Sequence, residues 1–217
     1  MKTAIILGAT GLVGGVLLEK LLADARYRNI LVFGRKTCGV SHPKLQEHLV
    51  DLFHLKDYKS LFVGDVVFCC IGTTKAKTPD HHKYKKIDYG IPVDAAKLCN
   101  LNGISSYLAI SALGADPNSS VFYNTVKGDM EEKVLAQNIP HVYLLQPSLI
   151  SGDRKENRTM ETIGNWVMKI VNPLLVGRLK KYRSIHPETI ANAMIWLDNN
   201  NYNLKRIPSD IIKTLGR

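Results

Sequence analysis

The 217-residue sequence predicts an α/β fold, a doubly wound parallel sheet covered by helices on both faces. Three observations carry this. Short apolar runs recur along the first two thirds of the chain and alternate with amphipathic stretches. Most of the runs are continuous in apolar residues rather than alternating, as strands buried on both faces are. The first of them ends in a glycine-rich turn that opens an amphipathic helix.

The elements follow in order. Residues 3–7 read as a buried strand, and 12–24 as a helix whose stripe is Leu12, Val13, Val16, Leu17 and Leu21. Further strands are expected at 30–33, 47–50 and 65–70, the last bounded by Gly64 and Gly72. A helix over 87–100 places Ile91, Ala95, Leu98 and Leu101 on one face. A fifth strand covers 106–110. Ser119 or Ser120 can cap a helix running to about 137, and Pro140 precedes a sixth strand at 141–145. Beyond that, 159–171 looks helical and stops before Pro173. Pro187 suits the first turn of a helix to about 198, and Ser209 can cap a last helix ending near Gly216. Residues 1–150 therefore form a nucleotide-binding core. Residues 151–217 form a small helical extension on the substrate side, too short for a core of their own.

Composition narrows the classes. A 45% hydrophobic content excludes disorder as the dominant state. No apolar run approaches the ~18–20 residues that span a bilayer. The chain opens on a short apolar run that meets Gly8 at once, unlike the longer apolar region of a secretory signal, which predicts a cytoplasmic protein. Cys38, Cys69, Cys70 and Cys99 show neither a CxxC nor a metal-ligand spacing and are expected to be reduced and mostly buried. His81 and His82 have no third ligand spaced nearby, so no metal site is expected.

Gly8-Ala9-Thr10-Gly11-Leu12-Val13-Gly14 places glycines at 8, 11 and 14 between strand and helix. Gly8 permits a sharp turn, Gly11 lets the backbone approach a pyrophosphate, and Gly14 lets helix and strand pack closely. Free N–H groups at the helix start attract phosphate, so Thr10, Leu12 and Val13 join the glycines as candidate cofactor-binding residues. This is the context of a Rossmann fold. A site for NAD(H) puts an acidic residue after the second strand to hold the ribose 2′-hydroxyl. Here the strand runs into Arg35 and Lys36, and Arg35 could pair with a 2′-phosphate, which favours NADP(H) over NAD(H). Asp51, with Leu52, follows the third strand and could accept from an adenine amino group. Cys70, Ile71, Gly72 and Thr73 follow the fourth strand and would lie along the cofactor. Pro147 and Ser148 follow the sixth, near the nicotinamide end.

Tyr123 and Lys127 form a YxxxK pair, which shares one face of a helix. A neighbouring ammonium stabilises a phenolate, so Lys127 can make Tyr123 a usable acid/base for a substrate oxygen while hydrogen-bonding the nicotinamide ribose, and Tyr123 and Lys127 also count as candidate cofactor-binding residues. Ser111 ends the fifth strand, where the carboxyl ends of strands face the ligand crevice, and could donate to the same oxygen.

These residues resemble the short-chain dehydrogenase/reductase superfamily in its atypical or extended branch. Residues 68–74, 123–128 and 146–154 look like the family of the human Tat-interacting oxidoreductase, regarded as a metastasis suppressor. The resemblance runs from Lys2 to about Leu197. It implies NADPH bound through Gly8, Gly11, Gly14 and Arg35, and a catalytic triad of Ser111, Tyr123 and Lys127. Two departures stand out. Ser111 precedes Tyr123 by only 12 residues, and no asparagine stands where the superfamily's fourth catalytic residue is expected, Asp88 being nearest.

The net charge is +10, and two segments hold most of it: 75–86 and 178–183, each net +4. An electropositive mouth that attracts phosphates or an acidic substrate fits this better than a nucleic-acid footprint. The favoured function is an NADP(H)-dependent oxidoreductase acting on a small carbonyl or alcohol. The alternative is an NADPH-binding regulatory or sensor protein with little catalysis. Monomer and homodimer are both compatible with the sequence.

Overall fold

A computed structural model describes residues 1–151 and 182–217. The helix expected over 159–171 lies outside them, as do Arg154, Arg178, Lys180 and Lys181.

Among the described residues, seven strands make one sheet in the order β3-β2-β1-β4-β5-β6-β7, and every pairing in it is parallel. The strands are β1 (Lys2–Leu7), β2 (Tyr27–Gly34), β3 (Leu45–Leu49), β4 (Val66–Cys69), β5 (Ser106–Ile110), β6 (His141–Gln146) and β7 (Arg206–Pro208). In β1, Ala4 and Ile6 face one apolar layer and Ile5 and Leu7 face the other. That double burial is why the run carries no polar alternation. Helices α1 (Leu12–Ala23), α5 (Pro187–Asn199) and α6 (Ser209–Leu215) cover the first face. A 3₁₀ helix (Leu52–Tyr58), α3 (Ile91–Leu101) and α4 (Phe122–Leu135) cover the second. Strand order reverses between β1 and β4, which opens a crevice at their carboxyl ends.

Differences from the sequence reading have local causes. The helix expected over 87–100 starts earlier, as α2 (His81–Lys85), and reaches α3 through a π turn (Lys86–Gly90). Leu101, expected on the buried face, is the last residue of α3 and is 62% exposed. Val121, not a serine, is the N-cap of α4; the Ser119 hydroxyl accepts instead from the Val121 N–H at 3.1 Å. Ser209 is already inside α6, whose N-cap is Pro208. Its buried hydroxyl donates to Ser148 Oγ at 3.0 Å.

Where the sequence shows six strands and then helices, the structure adds β7. Pairing Arg206 with Leu144 and Pro208 with Gln146, this strand takes the sheet edge beyond β6. A three-residue run ending in proline carries no readable period, and an edge is where proline is tolerated. The strand is pinned by Arg206 Nε, which donates to Glu131 Oε2 of α4 at 2.7 Å, while Gln146 Nε2 donates to Glu131 Oε1 at 2.9 Å.

Candidate functional site

The glycine turn is built by exclusion. Gly8 sits at φ +84°, a left-handed conformation that favours glycine, and a Cβ there would lie 2.8 Å from the Cys70 carbonyl oxygen. Gly11 donates its N–H to Gly8 O at 3.0 Å and serves as N-cap of α1, with no side chain satisfying the helix start. The unpaired N–H groups of that first turn point out of the helix end and suit an anion. Val13 is buried against the sheet, while Thr10 lines the crevice.

A shallow cleft of about 110 Å³ opens beside this turn. It is lined by Gly8, Ala9, Thr10, Val32, Gly34, Arg35, Lys36, Leu52 and Ile71. Six of the residues singled out from sequence for cofactor binding therefore share one wall: Gly8, Thr10, Arg35, Lys36, Leu52 and Ile71. Arg35 and Lys36 are exposed at the carboxyl end of β2, and among the described residues no acidic side chain lines the cleft. Asp51 is placed differently. Its carboxylate caps the 3₁₀ helix, accepting from the Phe53 N–H at 2.9 Å, and pairs with His54 Nδ1 at 3.0 Å. Those bonds, the Phe53 amide first, hold its pKa below the ordinary aspartate value.

A second cluster gathers at the carboxyl ends of β4 and β5. Lys127 is 2% exposed; its Nζ lies 3.0 Å from Asp88 Oδ1 and donates to the Ile110 carbonyl at 3.3 Å. Burial disfavours its ammonium, but Asp88 and Tyr123 more than offset this and raise the pKa above that of ordinary lysine. Asp88 Oδ2 accepts the Thr73 N–H at 2.8 Å. Ser111, next after Ile110, is buried, and among the described residues its hydroxyl oxygen has no hydrogen-bond partner. Tyr123 is 39% exposed at the first turn of α4, four residues before Lys127. The Tyr84 ring stands edge-on to it at 6.4 Å, and Phe122 stacks on His81 at 4.1 Å. The loop that joins β5 to α4 is held close: a Cβ on Gly128 would lie 2.2 Å from Pro117 N.

Gly72 borders this cluster, where a Cβ would lie 3.4 Å from Asp88 Oδ1, and Cys69 at the end of β4 lies close enough to interact with Lys127. Burial pushes the thiols of Cys69 and Cys70 up, which removes them as nucleophiles near neutral pH. Ser148 turns away toward the C-terminal elements, donating to the Arg183 carbonyl and accepting from Ser209. The Pro147 carbonyl takes the Leu113 N–H at 3.0 Å, which ties the β6 end to the loop after β5. In the first basic segment, Lys75, Lys77, Lys83, Lys85 and Lys86 are exposed, and Lys85 Nζ reaches Asp129 at 3.5 Å.

The sequence marked Asp88 only as the residue nearest the absent asparagine; its partner was not legible there, and burial at 1% exposure demands one. That partner, Lys127, stands on another helix.

No protein-family model matches the chain. It is 30% identical over 204 residues to the protein named fmp52, mitochondrial, of Aspergillus niger, covering 90% of this chain and 86% of that one. It is 30% identical over 172 residues to HTATIP2 of Rattus norvegicus, covering 77% of this chain and 69% of that protein. In fold it is similar to the Bordetella bronchiseptica enzyme WbmH, solved in complex with NAD+, at a TM-score of 0.68 and 14% identity, covering 92% of this chain and 73% of that one.

One expectation is overturned. The cytoplasmic location rested on the short apolar run at the start of the chain, but fungal relatives are named mitochondrial. The run is apolar because it is β1, buried on both faces, and so it carries no information on compartment. Among the described residues no helix is long and apolar enough to cross a membrane.

Proposed function

The chain belongs to the family of the FMP52 and HTATIP2 proteins, atypical members of the short-chain dehydrogenase/reductase superfamily, and on that premise we propose that it is an NADP(H)-binding oxidoreductase acting on a small carbonyl or alcohol. The observation that carries the reading is at Ser111. Its hydroxyl is buried with no partner among the described residues at the carboxyl end of β5, beside the carbonyl that accepts from Lys127. A buried unpaired hydroxyl costs free energy, and a substrate oxygen beside it would supply the missing bond.

The residues present fit a nicotinamide dinucleotide. Gly8 and Gly14 leave no room for side chains against the backbone around them, which keeps the turn tight, and the uncapped start of α1 offers its N–H groups to a pyrophosphate. Arg35 and Lys36 on the cleft wall would hold a 2′-phosphate, at the end of β2 where a site for NAD(H) would place a carboxylate. When bound, the nicotinamide would supply or accept the hydride. Ser111 Oγ would orient the substrate oxygen. Tyr123 would hold or take the proton at its phenolic oxygen, and the Lys127 ammonium would favour the phenolate form. The exposed lysines of 75–86, next to the Thr73 loop, would draw anionic ligands toward the mouth.

Fluorescence titration with NADPH, followed by turnover against a panel of aldehydes and quinones, tests the reading. Tyr123→Phe should bind NADPH as the wild type does and lose turnover. Failure of the wild type to bind NADPH would sink the proposal, and persistent turnover by Tyr123→Phe would remove the tyrosine from its role. Tight binding with no turnover across the panel would favour the sensor alternative.

A further inference from the structure

We infer that Asp88 is a positioning residue: from the π turn, its carboxylate keeps Lys127 a buried ammonium and ties that lysine to the Thr73 loop beside the cofactor crevice. The inference rests on the oxidoreductase reading for its consequence, but its geometry stands alone.

The π turn Lys86–Gly90 interrupts one long helical stretch between α2 and α3. Such a turn inserts one residue and redirects the side chains on it, a device common at functional sites. Asp88 is the one acidic residue it carries, and it points inward to 1% exposure. Its two oxygens do different things. Oδ1 lies 3.0 Å from Lys127 Nζ of α4, and Oδ2 accepts the backbone N–H of Thr73 at 2.8 Å. Thr73 is fixed further by its hydroxyl, which pairs with Thr78 Oγ1 at 2.9 Å, and by its carbonyl, which accepts from Tyr84 OH at 3.3 Å. One carboxylate thus joins a loop after β4, a turn before α3 and a lysine of α4.

Charge makes the link necessary. An ammonium at 2% exposure without a counter-ion would shed its proton near neutral pH. The Ile110 carbonyl helps, but it carries only a dipole. The other ionisable groups around Lys127 are Tyr123 on its own helix and Cys69 at the end of β4, with Tyr84 of α2 edge-on to Tyr123. A neutral phenol and a neutral thiol do not replace a carboxylate. Space at Gly72 is part of the arrangement, because a methyl there would press on Asp88 Oδ1 at 3.4 Å.

The test follows the lysine directly. Full-length protein carrying carbon-13 labelled lysine is titrated by NMR, with Lys127→Met assigning the signal. In the wild type the Lys127 Cε signal should stay at its ammonium position to beyond about pH 10. In Asp88→Asn it should titrate lower by about two pH units or more, and Asp88→Glu should restore it. A merely structural role would leave that titration in place. Unchanged titration in a folded Asp88→Asn overturns the inference. So does a wild-type Lys127 that titrates below the ordinary lysine value, which decides the matter even where the variant does not fold. In parallel, NADPH affinity should be flat from about pH 7 to 9 in the wild type and should decline across that window in Asp88→Asn. If the wild type binds no NADPH, the oxidoreductase reading fails, and the lysine titration still decides the role of Asp88.

Discussion

A Cβ placed on Gly14 would lie 2.1 Å from the carbonyl oxygen of Gly8. That separation is well inside any van der Waals contact, and both parties are backbone, so neither can rotate away. Gly14→Ala must therefore push α1 off β1 or distort the Gly8 turn. We expect a loss of about 3 kcal/mol or more in urea unfolding, with NADPH binding lost in whatever remains folded. Gly15→Ala is the control. Its Cβ would meet the Ala9 carbonyl at an ordinary 3.5 Å, so better helix propensity should leave it neutral or slightly stabilised. Equal behaviour of the two variants would show that the close approach carries no cost.

Arg35 tests cofactor choice. It is exposed on the cleft wall with Lys36 beside it, and the Asp51 carboxylate lies near enough to feel its charge. A charge-assisted bond to a 2′-phosphate contributes about 1.5–3 kcal/mol. Arg35→Ala should therefore weaken NADPH binding by roughly ten- to a hundredfold and leave NADH binding nearly unchanged. Parallel weakening of both cofactors would move the guanidinium's role from the 2′-phosphate to general attraction. No change in either would remove Arg35 from the site.

The parts of the fold that could be read from sequence are those with short-range causes. The strands β1, β4 and β5 have unbroken apolar runs because both of their faces are covered there, and the glycine turn is legible because backbone packing forbids a side chain there. Tyr123 and Lys127 are four residues apart on one helix, so the pattern and the geometry coincide. What escaped depends on distant partners. Asp88 is explained by Lys127, and the π turn that aims it has no hydrophobic period of its own. The strand β7 is too short to show alternation, and its place is set by Arg206 reaching Glu131 on α4. Ser209 and Asp51 show the converse. One caps nothing and pairs with Ser148, while the other, considered for adenine, is an N-cap.

Glu47 supplies a pH-dependent element near the cleft. It accepts from the Cys38 N–H at 2.6 Å and from the Thr37 hydroxyl at 2.7 Å, closing the loop that follows Arg35. Those bonds, the Cys38 amide foremost, hold its carboxyl below the ordinary glutamate value. Burial and the nearby Glu47 push the Cys38 thiol up to about 11 in turn. A carboxyl whose folded pKa is depressed stabilises the fold above its unfolded pKa, near 4.3, and this stability is lost as pH falls through the folded value. Glu47→Gln should remove that contribution, less than about 1 kcal/mol after solvent screening, from neutral pH. Its unfolding free energy should converge with the wild type below about pH 4. An unchanged gap between the two curves at every pH would mean that the charge plays no part.

At the opposite end of the sheet, Asp198 of α5 clamps the start of the chain. Its Oδ2 accepts from Tyr27 OH at 2.6 Å and from Lys2 Nζ at 2.9 Å, and the same ammonium also donates to the Asp198 carbonyl at 2.6 Å. The Tyr27 hydroxyl is further bonded by Asn199 Nδ2 at 2.8 Å. Burial, with the Asp198 charge, raises the Tyr27 pKa, so the phenol acts only as a donor to the carboxylate. The clamp lies far from the crevice, at the amino end of β1 and β2. Asp198→Ala removes an acceptor from two donors at once, one of them on a fully buried ring, and should cost about 2–4 kcal/mol. Tyr27→Phe loses one bond and should cost about 1–2 kcal/mol. The double variant should lose less than the sum, since both single changes break the same bond. NADPH affinity in all three should equal that of the wild type at temperatures where they are folded. Strict additivity in urea unfolding would separate the two side chains energetically, and weakened cofactor binding would tie this end of the sheet to the site.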